Sequence, residues 1–386
     1  MSDHDADEKG EGGEERVSPL ELFFDLVFVF SITQVTAFIA TDPTWPGVGQ
    51  GMLVLAVVWW AWVSYSWLTN TLDTNESSTR VVMFAAMGGM FVVAMSISGA
   101  FGDDALLFAG AYFVVRASHI LLYAHAVDDG GVKAAVLRTT PATLVATSLL
   151  VAAAALGGPW RDALWVAAVL IDFAGPAIAG MHGWKLHPDH FAERHGLIVI
   201  IAFGESIIAT GLASGGVALS FQVVLAALLA LAVTVALWWA YFDVAALVAE
   251  DRLHQASGLD QLRLARDAYS YIHLVLVAGI VLLALGAKKT ILGIDEPLKT
   301  VPAVALCGGV ALYLLGHVAF RLRMTGRLST HRLVVAAACL ALIPLAMHAK
   351  AVAALGAIAL LCCGLIVYEV LRFRAPRAQV RSRATA

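Results

Sequence analysis

Charge is what this chain lacks most. Asp, Glu, Lys and Arg make up 14% of its 386 residues, where soluble domains carry about 25%. A globule of this length could not cover its surface with so little, which excludes a soluble fold. Cysteine is scarce as well: four residues cannot staple a chain this long, so a disulfide scaffold is excluded. A hydrophobic share of 60% excludes a disordered chain. The period-two alternation of a membrane barrel is missing, and in lipid only helices or closed barrels satisfy the backbone. No GxxxxGK[ST], GxSxG or HExxH pattern occurs, so the common phosphate-loop, hydrolase and zinc-protease chemistries have no anchor. Nor is there a basic surface that could track nucleic acid.

Long apolar runs are present instead, and the mean hydropathy is +0.80. A bilayer core about 30 Å thick takes roughly 20 apolar residues per helix. The segments Gly51–Leu72, Val81–Gly102, Thr139–Trp160, Ala268–Ala287 and Thr300–Phe320 carry no Asp, Glu, Lys or Arg. Ser206–Phe242 is uncharged for 37 residues, too long for one span, and Ala213–Ser220 has the turn chemistry to divide it. The expected fold is all-α: a polytopic transmembrane bundle of about twelve helices. They fall over roughly 20–40, 51–70, 80–100, 105–126, 135–156, 160–180, 192–212, 219–242, 267–287, 300–321, 330–348 and 350–371.

Orientation follows from the Lys and Arg in alternate loops. With the N-terminus inside, 19 fall on the inside segments and 5 outside, and Arg116 lies within a span. Both termini are expected in the cytoplasm of a cell-membrane protein. The acidic stretch at the start has no basic n-region, so it is not read as a signal peptide but as a disordered tail. Five Arg in residues 372–386 reinforce the orientation and suit anionic lipid.

A repeat is visible. Trp59-Trp60-Ala61-Trp62 reappears as Trp238-Trp239-Ala240-Tyr241. The acidic opening Glu21 to Asp25 has an echo at Glu193, and Tyr112-x3-Arg116 is matched by Tyr313-x3-His317. Offsets of 172, 179 and 201 drift as loop insertions would make them. The organisation expected is an acidic tail (1–17), a six-helix repeat (18–187), a second repeat (188–372) and a basic tail (373–386), with an axis along the membrane normal between the halves.

Ionisable side chains at membrane depth are costly unless paired or hydrated, which makes them candidates for function. Glu21 and Asp25 are spaced i, i+4 on one face of the first span, with Gln34 further along near that face. Asp25 reads either as a cation or proton site or as a structural partner of Arg80. Glu205, in Ala202-Phe-Gly-Glu-Ser206, sits near mid-span among apolar turns, and Gly204 before it would allow close approach or a local break. A proton or cation role and a static hydrogen bond both fit. Asp172 is similarly deep, with Gly175-Pro176 following, and Arg116 with His119 (i, i+3) offers it a counter-ion. Asp25 and Glu205 are expected to share a polar cavity between the halves.

Four histidines (His182, His187, His190 and His195) lie close together with Asp189 and Glu193. Transition-metal binding by His187, His190 and His195 is chemically allowed, but no pair has helical i, i+4 spacing, so a solvated interfacial loop is the stronger reading. His273 and His317 are single histidines on apolar spans, read as interhelical hydrogen bonds before relay members. The four Cys have no ligand spacing and read as core or lipid-facing residues. No cofactor is implied.

Val17-Ser-Pro-Leu-Glu-Leu-Phe-Phe-Asp-Leu-Val-Phe-Val-Phe-Ser-Ile-Thr-Gln34 closely resembles the opening signature of the bacterial low temperature requirement A (LtrA) family. Further segments are similar in the same order: Trp59–Trp62 with Asn70, Asp73 and Arg80, then His190-Phe-Ala-Glu-Arg-His-Gly-Leu197, Gly204-Glu-Ser206, Trp238-Trp239 and Tyr269–His273. The resemblance runs from about residue 17 to 372. It implies a multi-pass membrane protein and brings no established substrate. A secondary transporter or ion-conducting protein for a small ion or solute is the favoured function. An intramembrane enzyme on lipid-linked substrates and a non-catalytic structural component are the alternatives. The bilayer is the one partner implied, and nothing indicates an oligomeric state.

Overall fold

The computed structural model describes residues 17–72 and 76–384. Most of the acidic segment, to residue 16, and Asp73 therefore lie outside the described residues. Among those described, every regular element is helical. Twelve helical segments are long and apolar enough to cross a membrane. In the first half they are α1 (Pro19–Thr41), α2 (Trp45–Thr69), α3 (Ser77–Met95), α4 (Ala105–Ala126), α5 (Gly130–Leu156) and α6 (Arg161–Ala179). In the second half α7 (Pro188–Gly215) and α8 (Phe221–Phe242) are followed by the short α9 (Ala245–Gln255). Then α10 (Gly258–Leu264) runs through a π-helical stretch, Ala265–Ile272, into α11 (His273–Leu292). The bundle closes with α12 (Thr300–Thr325), α13 (Thr330–Ala341), α14 (Ile343–His348), α15 (Ala351–Arg372) and α16 (Arg374–Ala384).

Local chemistry sets the helix ends. Ser18 and Glu21 form a reciprocal capping box at the start of α1, with Pro19 where its missing N–H costs nothing. Thr44 caps α2 and Asp129 caps α5. The uncharged 37-residue run divides where its Gly and Ser residues predict: α7 ends at Gly215, and the Ser220 side chain accepts from Val223 N to begin α8. Gly326, at φ 68°, ends α12 in the left-handed region open to glycine.

Three features depart from the sequence reading. The ninth span begins at Gly258, not near 267, because charged residues continue the helix beyond its apolar part. The eleventh is broken between α13 and α14 ahead of Pro344. The loop after α8 contains α9, and the basic tail is helical as α16, which packs on α9.

Within each half the neighbours follow one order. Helix α1 packs on α2 and α3, α3 on α4, α4 on α5, α5 on α6 and α6 on α2. Likewise α7 packs on α8 and α11, α11 on α12, α12 on α13, α13 on α15 and α15 on α8. The halves meet where α1 packs on α7 and α11. The closest pair is α11 against α12, where glycines let the backbones touch: a Cβ on Gly286 would lie 2.4 Å from Leu306 Cα, and one on Gly279 2.7 Å from Tyr313 N. Outward faces stay apolar, as Leu106, Val114 and Leu121 on α4 show. A membrane accepts this and water would not.

Candidate functional site

A buried polar cluster is built where α1, α2 and α7 meet at their shared end. The cap that starts α1 places Glu21 in its first turn, and Asp25 follows one turn deeper on the same face. Two turns into α7 comes Arg194. Its Nη1 donates to Glu21 Oε1 at 3.2 Å and to Thr69 Oγ1 at 2.6 Å, and its Nη2 donates to Asp25 Oδ1 at 2.5 Å. Trp62 Nε1 donates to that same Asp25 oxygen at 2.9 Å, and the guanidinium lies 5.7 Å from the Trp62 ring centre. His190 Nε2 is 3.0 Å from Glu21 Oε2, while its Nδ1 is 3.1 Å from Asn70 Nδ2. Asn70 also accepts from His187 N at 2.7 Å and donates to His187 O at 3.0 Å, tying α2 to the start of α7. All the ionisable members are buried. One arginine thus answers two acids, with His190 beside the outer one.

Asp25 therefore pairs with Arg194 across the halves and not with Arg80, which is exposed at the start of α3. The sequence reading offered Arg80, at the start of a neighbouring span, as the structural alternative to a cation or proton site, and did not single out Arg194. Glu193, next to Arg194, points the other way: it is exposed and accepts from Val17 N. Gln34 is half-buried on α1, beyond this cluster.

A second cluster crosses α2, α4, α5 and α6. Arg116 Nη2 donates to Asp172 Oδ1 at 3.0 Å and to Thr143 Oγ1 at 3.1 Å, and Nη1 donates to Trp60 O at 3.0 Å and to Ser64 Oγ. His119 Nε2 is 3.0 Å from Ser64 O. A cavity of about 60 Å³ beside this pair is lined by Ser64, His119, Thr143 and Trp184, room for a small number of waters. The Arg116–Asp172 pairing expected from sequence is present.

A third cluster was not foreseen. Arg332, on α13, donates from Nε to Glu369 Oε1 at 2.8 Å and from Nη2 to Glu369 Oε2 at 3.0 Å, a two-pronged grip on α15. Its Nη1 lies 2.9 Å from His317 Nδ1, and Nη2 donates to Ala240 O at 3.1 Å. Glu369 is the one acid in the final apolar run, a signal present in the sequence that the sequence reading did not single out.

Between these clusters runs an aromatic and histidine core. His195 is fully buried, its Nδ1 2.8 Å from Phe191 O, with Trp62, Tyr269 and His273 rings around it. His273 Nε2 is 2.8 Å from the Tyr241 hydroxyl. The π-helical turn beside His273 turns Ser270 toward the other half: its carbonyl accepts from Trp59 Nε1 at 2.8 Å and its hydroxyl from Trp67 Nε1 at 3.0 Å. Such turns frequently accompany functional sites. Trp59, Trp60 and Trp62 are thus internal packing and bonding residues, whereas Trp238 and Trp239 are partly exposed. The two Trp-Trp segments matched in sequence occupy different environments.

Glu205 stands apart from all three clusters. It is buried at mid-length of α7, about 26 Å from that helix's start at 1.5 Å per residue. It accepts a hydrogen bond from the Thr33 hydroxyl of α1 and makes no ion pair within 4 Å among the described residues; Lys288, on α11, reaches it only through space. Thr33 is eight residues beyond Asp25, about 12 Å along the helix, so the two acids lie at separate levels and meet different partners. Gly204 neither breaks α7 nor admits another backbone, since a Cβ there would have nothing within 4 Å. No group of three or more His, Cys, Asp or Glu that could hold a metal ion occurs among the described residues: His190 faces Glu21, and His195 faces rings.

The geometry defines an all-helical, multi-pass membrane protein with cross-linked ionisable clusters inside its bundle. The segments that form the main cluster are the ones that carried the family likeness, and the comparison with family models agrees. The bacterial low temperature requirement A protein (LtrA) family model matches residues 16–367, and the chain belongs to that family. It is similar to Uncharacterized protein RA0937 of Rhizobium meliloti (strain 1021), 29% identical over 308 residues, which cover 77% of this chain and 75% of that one. No solved structure matches the chain.

Proposed function

We propose that this protein is a secondary transporter or ion-conducting protein in which Glu205 carries a proton or a small cation. The observation that carries the reading is the contrast between Glu205 and the other deep acids. Glu21, Asp25, Asp172 and Glu369 are each held by an arginine within 3.2 Å, so changing their charge breaks a buried pair. Glu205 has the Thr33 and Thr36 hydroxyls, with Lys288 acting only through space, and no arginine, so it can gain or lose a charge without dismantling a cluster. It also lies on α7 where α1 of the other half packs, and substrate sites of repeat-built transporters lie at such interfaces near midplane.

The same reading includes two six-helix repeats with both termini in the cytoplasm. It is supported by the shared neighbour order of the halves, not by the Trp-Trp match, and by a recurrent bond: in each half an arginine paired to the last span reaches a carbonyl of the second span, Arg116 to Trp60 and Arg332 to Ala240. The 19-to-5 charge bias supports the orientation.

Proton flux into sealed vesicles, read with a trapped pH-sensitive dye across an imposed gradient and a panel of inorganic cations and small solutes, tests it. The wild-type chain should conduct above empty vesicles and Glu205→Gln should fall to that background while inserting normally. Full flux in Glu205→Gln overturns the reading.

A further inference from the structure

On the far side of α9 from α7, the helices α9, α12, α13, α15 and α16 enclose a cavity of about 490 Å³. Its lining is divided. Arg321, Arg327, Arg332, Arg377 and His331 face Glu369, the single acid on the wall; Val248, Phe320, Met324 and Val380 supply apolar surface. The charges do not cancel locally. Arg332 is committed to Glu369, and Arg377 pairs with Asp243, which also pairs with Arg381. That leaves Arg321, whose Nη1 donates to the neutral Ser329 hydroxyl at 2.7 Å, and Arg327, which forms no ion pair among the described residues. Both are exposed and both line the cavity.

Two uncommitted guanidinium groups over an apolar wall, at the end of a membrane bundle, ask for an anion with an apolar body. Guanidinium forks match the paired oxygens of a phosphate, and basic pockets between spanning helices take acidic headgroups. We infer that this cavity binds the phosphate of an acidic phospholipid, with Arg321 and Arg327 on the phosphate and Phe320, Met324 and Val380 against the glycerol and chain. Helix α16, tied to Asp243 by Arg377 and Arg381, forms one wall, so the basic C-terminal segment serves as part of the pocket and not only as a surface charge. The assignment does not rest on Glu205 or on transport.

The test is calorimetric titration of the full chain in a neutral detergent with three probes: dioctanoyl phosphatidylglycerol, dioctanoyl phosphatidylcholine and inorganic phosphate. Phosphatidylglycerol should bind at least about tenfold more tightly than phosphatidylcholine, a difference of about 1.4 kcal/mol. The double variant Arg321→Gln/Arg327→Gln should abolish that preference. Size-exclusion and melting profiles of the lipid-free variant matching the wild type show that folding is not the cause; if the double variant does not fold, Arg327→Gln alone, on an exposed turn residue, should still lose part of the preference. Equal binding of the two lipids, or an unchanged preference in a folded variant, overturns the inference. Inorganic phosphate binding as tightly as phosphatidylglycerol overturns the lipid assignment and leaves a free-anion site.

Discussion

Arg194 is the residue on which the structure makes its strongest demand. Its guanidinium is the shared partner of Glu21 and Asp25, all three nearly without solvent contact. Replacing it with Met preserves volume and helix propensity and leaves two carboxylates buried without their arginine, with His190 still hydrogen-bonded to Glu21. Breaking one buried pair by removing a partner costs about 3–5 kcal/mol. Here one deletion breaks two, so the upper end of that range is expected, a fall in melting temperature on the order of 10 °C for a chain of this size. Arg194→Lys should fall between, because an ammonium cannot serve both acids and Thr69 Oγ1 in one geometry. Adding Glu21→Gln and Asp25→Asn to Arg194→Met should recover much of the loss, since the cost comes from uncompensated charge and not from missing attraction. The assay is melting in detergent followed by fluorescence-detected size exclusion. An Arg194→Met protein that melts within about 2 °C of wild type, well inside the shift expected from breaking one pair, would show that the two acids do not depend on Arg194.

Reporter fusions after Lys299 and after Arg374 should read outside and inside; a C-terminus on the outer face removes the twelve-span orientation. Gly286→Ala should lower the melting temperature, because its Cβ would lie 2.4 Å from Leu306 Cα and backbone cannot step aside. Gly88→Ala, with nothing within 4 Å, should be silent; equal melting of the two variants would refute the close-packing argument. Asp129 caps α5 at the membrane boundary, and its bond to Lys185 at 2.6 Å, with those from Val132 N and Gly131 N, holds its carboxyl below the ordinary carboxylate range. A lowered folded-state pKa gives stability that is present above the ordinary value and lost as pH falls through the folded one. Asp129→Asn should therefore flatten the acid limb of a melting-against-pH profile, and an unchanged limb refutes that role.

Hydropathy made the spans legible because lipid leaves the backbone few choices, and glycine and serine chemistry made the break between α7 and α8 legible too. The π-helical turn and α9 were not, since both lie where charged residues interrupt the apolar pattern that was being read. Partners were harder than positions. The Arg116–Asp172 pair could be proposed within one half, but Asp25 finds Arg194 through the contact of α1 with α7, a tertiary fact that no local periodicity encodes. Arg332 and Glu369 went unread for a related reason: one lies at the start of a span and the other at the end of one, so each looks like a boundary charge, and only their two-pronged bond shows otherwise.

The three clusters and Glu205 divide the work of the bundle. An arginine that grips a carboxylate and a neighbouring carbonyl fixes two or three helices at once, as Arg116 does for α2, α4 and α6 and Arg332 for α8, α13 and α15. Moving any of those charges would leave its partner stranded in low dielectric, so these groups are ill suited to charge exchange. A hydroxyl-bound carboxyl carries no such partner. On the proposed reading, charge exchange is therefore least disruptive at Glu205, where α1 and α7 meet and no arginine grips the carboxyl.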